Sequence, residues 1–502
     1  MASFQVLSPS RRSISSPSLS VSGLEWAVVA VVGLNLSFLP WAFGGMERRG
    51  QCVSLLLAVI GFILALFSKK SASADERGKG GGEPLSAKAK LFRFPPFWAG
   101  ALLLTYIAIQ ALNPAFNYES DEHHWWLVPI THIVWLPHGM RIPFREVGVT
   151  RALVIWGATW LSVCAVWIGV SRRRSVVALL TSLSINAFIF AAFGVIQRAS
   201  GTDAIYWTSG VPPYFVAAMV YKNHAGAYFG LLALVTFSLA VRLIWIAAAK
   251  HRRSGPSILL VLFFGITALG VVLSCSVSCI VLFGTLFSVV GGITFRRYTK
   301  AFVRRFDAWP AVLGVGALGL SIAAICLVVG YKDLRENLER KLSSGAGAYS
   351  LRTRWLAGQA GWRMFLDRPV LGWGAGCFCY GFSKYQRAEP ELMKWRDTQL
   401  RWENVHDDWL ELLIETGLCG AAGVGYVIYY WIREVMRLRL WRYPSILPIL
   451  SGILGLMVYG FFDFPFHNPA ITTTAGVLLA LCVRWGELEA RRNSDVPTAR
   501  LR

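Results

Sequence analysis

Apolar runs of about 17–25 residues, the length at which a helix crosses a hydrocarbon core, recur along almost the whole chain. Short polar stretches, mostly basic, separate them. The pattern predicts about twelve helices, near 24–44, 51–67, 97–112, 151–170, 176–197, 224–247, 256–274, 276–293, 309–330, 417–432, 445–463 and 470–485. One long polar segment, 331–416, breaks the rhythm. The expected fold class is therefore all-α, a polytopic integral membrane protein. Its expected layout is a tail over 1–23, nine helices over 24–330, the long loop 331–416, three helices over 417–485 and a second tail over 486–502. Lys69 to Phe94, with the run Gly78-Lys79-Gly80-Gly81-Gly82, reads as a flexible linker.

Composition agrees. The chain has 502 residues, of which 55% are hydrophobic and only 16% charged, with a mean hydropathy of +0.49, which excludes an ordinary soluble domain. A net charge of +22 would suit nucleic acid if it were gathered in one domain. Here Lys and Arg lie in short clusters between apolar runs, so anionic membrane lipid is the expected partner and nucleic acid is not. The nine cysteines are scattered, with no zinc spacing, and the Cys377-x-Cys379 pair is too close in sequence to bridge readily.

Orientation follows from the positive charge, because Lys and Arg in short loops stay cytoplasmic. With the N-terminus inside, the inside segments hold about 28 Lys and Arg against about 6 in the short outside loops. This puts 331–416 outside, together with the aromatic loop 113–147, the loop 198–223 and the turn Asp463–Pro469. The centres of the expected spans carry no ionisable residue, which disfavours an ion-coupled transporter. It favours a scaffold that works at one membrane face.

In the long loop, Arg352 and Arg354 could grip a diphosphate through their planar forks or anchor lipid headgroups. Trp355, Trp362, Trp373 and Trp395 could stack on sugar rings or lie in the interfacial belt, and Gly372–Gly376 could form a phosphate nest or a tight turn. His406, Trp409, Leu410 and Leu413 fall on one face of an amphipathic helix with the histidine at its N-terminal end. A neutral imidazole there could take a proton from an attacking hydroxyl, oriented by Asp407 or Asp408, or it could be structural. Glu403, Asp407 and Asp408 could also meet a cation, although their spacing is not diagnostic.

Taken together, Arg354, the run Asp367-Arg368-Pro369-Val370-Leu371-Gly372-Trp373-Gly374-Ala375-Gly376 and the run Val405-His406-Asp407-Asp408-Trp409-Leu410 up to Gly417-Leu418-Cys419-Gly420 resemble the O-antigen ligase and polymerase superfamily. Gln110-Ala111-Leu112-Asn113-Pro114, Lys222-Asn223-His224-Ala225-Gly226 and Asp463-Phe464-Pro465-Phe466 extend the resemblance over about 97–485. The resemblance implies a membrane glycosyltransferase, GT-C-like in fold, in a bacterial inner membrane with its long loop periplasmic. It would move a glycan from an undecaprenyl-diphosphate carrier to a hydroxyl of a lipid core, another glycan or a protein, with no cofactor and no metal. Ligation is the leading activity; repeat-unit polymerisation, protein O-glycosylation and a non-catalytic export role are the alternatives.

Carried over residue by residue, the family's loop arginine matches Arg354, with Arg352 as its neighbour, and the loop histidine matches His406. In one place the chain departs. Where many members carry a second arginine at a short outside hairpin, this chain has Ser274-Cys275-Ser276-Val277-Ser278. Either Lys222, His224 or Arg198 supplies the missing cation, or the donor is bound differently, or the chain has lost the activity.

Overall fold

The computed structural model describes residues 22–68, 86–210 apart from 123, 215–249, 257–306, 346–395, 398–399 and 401–494, with Arg335 and Glu339 besides. The span expected at 309–330, most of the linker, residues 1–21 of the first tail, residues 495–502 of the second and the start of the long loop lie outside these residues.

Helices dominate. The first group comprises α1 (Gly23–Trp41), α2 (Arg48–Leu66), the short α3 (Ala87–Phe92), α4 (Pro95–Leu112), α5 (Val149–Gly169), α6 (Arg173–Ala199), α7 (Lys222–Ala249), α8 (Ser257–Leu273) and α9 (Val277–Phe306). The long polar segment contributes α10 (Ala346–Asp367), α11 (Phe378–Gln386) and α12 (Pro390–Met393), and the chain continues through α13 (Asp408–Arg437), α14 (Leu447–Tyr459) and α15 (Pro469–Ser494). Among the described residues, nine helices are long and apolar enough to cross a membrane, and two shorter apolar ones, Leu259–Leu273 and Leu447–Tyr459, accompany them.

Three expectations need correcting. The chain is not purely helical: the aromatic loop folds into β1 (Pro114–Ser120), β2 (Trp125–Pro129) and β3 (Gly139–Arg141), ordered β2-β1-β3. Aromatic residues alternate along the hairpin, so Tyr118 stacks on Trp125 at 6.0 Å and both meet Tyr380 of α11 at 5.5 Å. Short β4–β5 and β6–β7 ladders (Ala204–Ile205 with Ser209–Gly210, Lys394–Trp395 with Thr398–Gln399) lie in other loops. Second, the linker contains α3, because Ser86 caps a helix through the Ala89 amide at 3.2 Å. Third, the amphipathic stretch near His406 and the span expected to begin at 417 are one element, α13, bent at Gly417.

Two cores result. The larger joins α1, α5, α6, α7, α14 and α15 through residues such as Leu36, Phe190, Phe229, Leu456 and Leu478. A second, on the loop side, joins the end of α4 and the β3 segment to α10, α11 and the start of α13 through Ile107, Met140, Met364, Trp373, Phe378 and Ile414. The second core holds the long loop against the spans.

The bend in α13 explains the glycine-rich run. Gly417 sits at φ +62°, ψ −172°, a conformation in which a Cβ would run into the Val370 carbonyl. Its neighbours bond to the loop instead of the helix: Leu418 N–H donates to Pro369 O at 2.8 Å, and Trp373 and Gly374 donate to Ile414 O and Glu415 O at 2.9 Å. From α4, Tyr106 donates to Leu371 O at 2.7 Å and Thr416 O at 2.9 Å, while Gln110 reaches Leu371 O and Glu415 O at 3.3 Å and accepts from Ala375 N–H at 3.1 Å. Gly372 N–H is likewise engaged, by Arg368 O at 3.1 Å. The run is a clasp over a broken helix rather than a phosphate nest, and broken backbone within a span is tolerated where protein satisfies it.

Candidate functional site

The site lies where the N-terminal end of α13, the α14–α15 connection, the start of α7 and α10 converge. Asp407 caps α13 by accepting from Trp409 and Leu410 N–H at 3.0 Å. The residue before the cap, His406, adopts φ +63°. A left-handed histidine carries a backbone cost of about 1–3 kcal/mol, which surrounding contacts must offset. They do so on several sides. Asp408 N–H donates to Gly460 O at 2.8 Å, Val405 N–H to Glu411 Oε2 at 2.9 Å, and the His406 ring packs edge-on to Phe464 and Trp402 at 4.9 and 5.7 Å.

The carboxylate beside His406 is Asp463, whose Oδ1 lies 3.3 Å from His406 Nδ1. Asp463 is 1% exposed and accepts from Asn223, from Tyr221 at 3.3 Å, from Tyr459 at 3.0 Å and from Phe464 N–H at 3.0 Å. Burial pushes its carboxyl up, but the hydrogen bond and charge of His406, with Arg354 and His224, overcome this and hold it at about 2. An ionised carboxylate only accepts, so the proton of a neutral His406 sits on Nδ1 and the lone pair is on Nε2. The side chain is 21% exposed.

The two loop arginines part company. Arg354 Nη1 donates to Phe462 O at 3.0 Å and its charge is felt at Asp463. Arg352, on the other flank of α10, pairs with Glu391 at 2.6 Å and is mostly exposed. Only Arg354 belongs to the His406 site.

The remaining sequence candidates fall in different places. Asp408 is not the orienting acid for His406: it is buried, and takes His467 Nδ1 at 2.7 Å and Phe466 N–H at 2.9 Å. Asp407 is spent on the cap, so these two and Glu403 do not form a shared cation site. Among the described residues, no group of three His, Cys, Asp or Glu is arranged to hold a metal ion. His224 is buried and its Nε2 lies 3.0 Å from Phe464 O, so it braces the Asp463 turn rather than reaching a ligand. Lys222 opens α7, half-buried, one residue from both Tyr221 and Asn223. Arg198 closes α6 ahead of the β4–β5 ladder. Cys377 and Cys379 are both free thiols.

The hairpin that lacks the second arginine is nevertheless wired to the site. Ser276 donates to Asn223 Oδ1 at 2.7 Å, and Ser278 meets the Tyr459 hydroxyl at 3.0 Å. Both partners hold Asp463. Sequence reasoning singled out the Asp463 and Lys222–His224 stretches but gave Asp463, Tyr221, Asn223 and Tyr459 no role; a carboxylate in the connection after α14 was the available signal.

A second cluster backs the first. His467 lies between Asp408, at 2.7 Å, and Glu411, at 3.0 Å, and ties the α14–α15 connection to α13. Glu415, one turn further along, accepts from Phe378 N–H at 3.1 Å and ties α13 to α11.

Compared with known proteins, residues 262–425 match the family model described as O-antigen ligase. The matched stretch runs from α8 through the clasp and past the bend of α13, and contains Arg354 and His406. No curated protein matches the chain.

Proposed function

We propose that this chain, a bacterial membrane protein of the O-antigen ligase superfamily, transfers a glycan from an undecaprenyl-diphosphate carrier to an acceptor hydroxyl at the periplasmic face of the inner membrane. The observation that carries the reading is the His406–Asp463 pair beside Arg354. His406 Nε2 takes the proton of the acceptor hydroxyl as its oxygen bonds to the anomeric carbon. The bond from that carbon to the diphosphate breaks, and the electron pair leaves with the lipid diphosphate. Arg354 stabilises the charge gathering there. The leaving group is good enough to need neither a general acid nor a metal.

Lys222 supplies the second cation in this account, because it opens α7 beside Tyr221 and Asn223. Donor affinity that is unchanged in Lys222→Ala contradicts that role. The experiment that tests the function is glycan analysis of a deletion strain, separating envelope-attached, carrier-linked and protein-linked sugar. Long polymer stranded on the carrier supports a ligase. Single repeat units there assign a polymerase, loss confined to glycoproteins a protein glycosyltransferase, and an unchanged profile contradicts transfer.

A further inference from the structure

Helix α10 has two unlike faces. One, formed by Thr353, Ala357, Ala360, Met364 and Phe365, is buried against α11 and α13. On the opposite face Leu351, Trp355, Trp362 and Leu366 are 73, 69, 49 and 55% exposed. Spacings of four, seven and four residues align them within one stripe along the helix. Arg352 and Arg363 border one edge, paired with Glu391 and Glu389, and Arg354 lies toward the other. A large exposed apolar stripe on a water-soluble loop is unusual and calls for an occupant.

The ends of α10 say which. Near one end Arg354 holds Phe462 O at 3.0 Å, in the connection where Phe461 and Phe462 are 57 and 65% exposed. Beyond the other, Pro369 and Val370 accept from Leu418 and Cys419 at 2.8 and 3.2 Å, beside exposed Leu418 and Leu112. The ends of α4 and α14 and the first half of α13 share one face of the bundle, since Gln110 reaches Glu415 O and Asp408 reaches Gly460 O. Both tethers therefore attach on the same side of the bundle, about 22 Å apart along the helix axis. Held at two points on that side, α10 lies across it rather than projecting from it.

We propose that α10 is an interfacial helix whose Leu351–Trp355–Trp362–Leu366 stripe is inserted into the adjoining leaflet, with its arginines at headgroup level. The inference rests on the membrane reading and deepens the proposed function: it sets Arg354 at the depth of a lipid-borne diphosphate. Leu351 and Leu366 close the two ends of the stripe, with Gly358 and Gln359 between the two tryptophans; a glycan platform would call for polar groups along the whole face.

The test uses the full chain in nanodiscs of phosphatidylethanolamine and phosphatidylglycerol, with exposed Cys52 and Cys419 replaced by Ala. Bimane is attached in Trp355→Cys, Trp362→Cys and, for reference, Ala388→Cys, and lipids carrying a doxyl group at acyl carbon 5 are added. Quenching at 355 and 362 about threefold or more above that at 388 is expected for a face lying within about 5–10 Å of the headgroup boundary. Quenching equal to the reference at both positions overturns the proposal, whether water, a glycan or a second copy covers the stripe. No donor is needed, so loss of glycan transfer and loss of lipid contact are separate results.

Discussion

His406 Nδ1 and Asp463 Oδ1 meet at 3.3 Å across 57 residues of chain. One stands just ahead of α13 and the other in the α14–α15 connection, so the pair forms only once the spans are assembled. Its partners are then fixed on both sides: Asn223, Tyr221 and Tyr459 on the carboxylate, Phe464 and Trp402 on the ring.

Arg354 and Arg352 are separated by their partners, Phe462 O and Glu391, although two residues apart. Arg354→Ala is expected to lower transfer turnover by about 10²–10³-fold, the usual cost of removing a donor aimed at developing charge. Arg352→Ala removes an exposed ion pair worth at most about 1 kcal/mol and should stay within a few-fold of the parent. Turnover of both purified variants with a lipid-diphosphate glycan donor checks this.

The His467 cluster predicts a pH dependence of stability. Burial lowers the affinity of His467 for its proton, but the charge of Glu411 and the hydrogen bonds to Asp408 and Glu411 overcome this and raise it well above 6.5. A histidine raised on folding stabilises fully below its unfolded value of about 6.5 and loses that contribution as pH rises through the folded value. The melting temperature of the detergent-solubilised protein should therefore fall from neutral pH into the alkaline range. In His467→Gln the start should be lower and the slope flatter.

Gly417→Ala should cost about 1–3 kcal/mol or more, because φ +62° and the close Val370 carbonyl both oppose a Cβ. Tyr106→Phe leaves two carbonyls, Leu371 O and Thr416 O, without the hydroxyl that bonds them, at about 1–3 kcal/mol. A lowered melting temperature in both, with the larger drop for Gly417→Ala, is the expected result.

Hydropathy made most spans visible, since length and apolarity are local properties: a helix expected near 97–112 lies at Pro95–Leu112, one near 470–485 at Pro469–Ser494. Arg354 and His406 stood out by motif. The partner of His406 did not, because nothing local tells Asp463 from the two aspartates that follow the histidine directly. Those two proved to be a helix cap and the acceptor for His467. The glycine run left a phosphate nest and a tight turn open for a similar reason: the amides of Trp373 and Gly374 are taken by a bend in α13 some forty residues on, and that of Ala375 by Gln110, relations visible only in three dimensions. The β-hairpin at Pro114–Pro129 was hidden by aromatic content shared with loops at a membrane interface.

The most direct test of the proposal that His406 and Asp463 act as the base is a double-mutant cycle on glycan transfer by purified protein. His406→Ala should reduce turnover by about 10²–10⁴-fold. Asp463→Asn should also reduce it, and the double variant should be no slower than His406→Ala alone, because the aspartate acts through the histidine. Full turnover in His406→Ala, or losses that simply multiply in the double variant, would contradict the account.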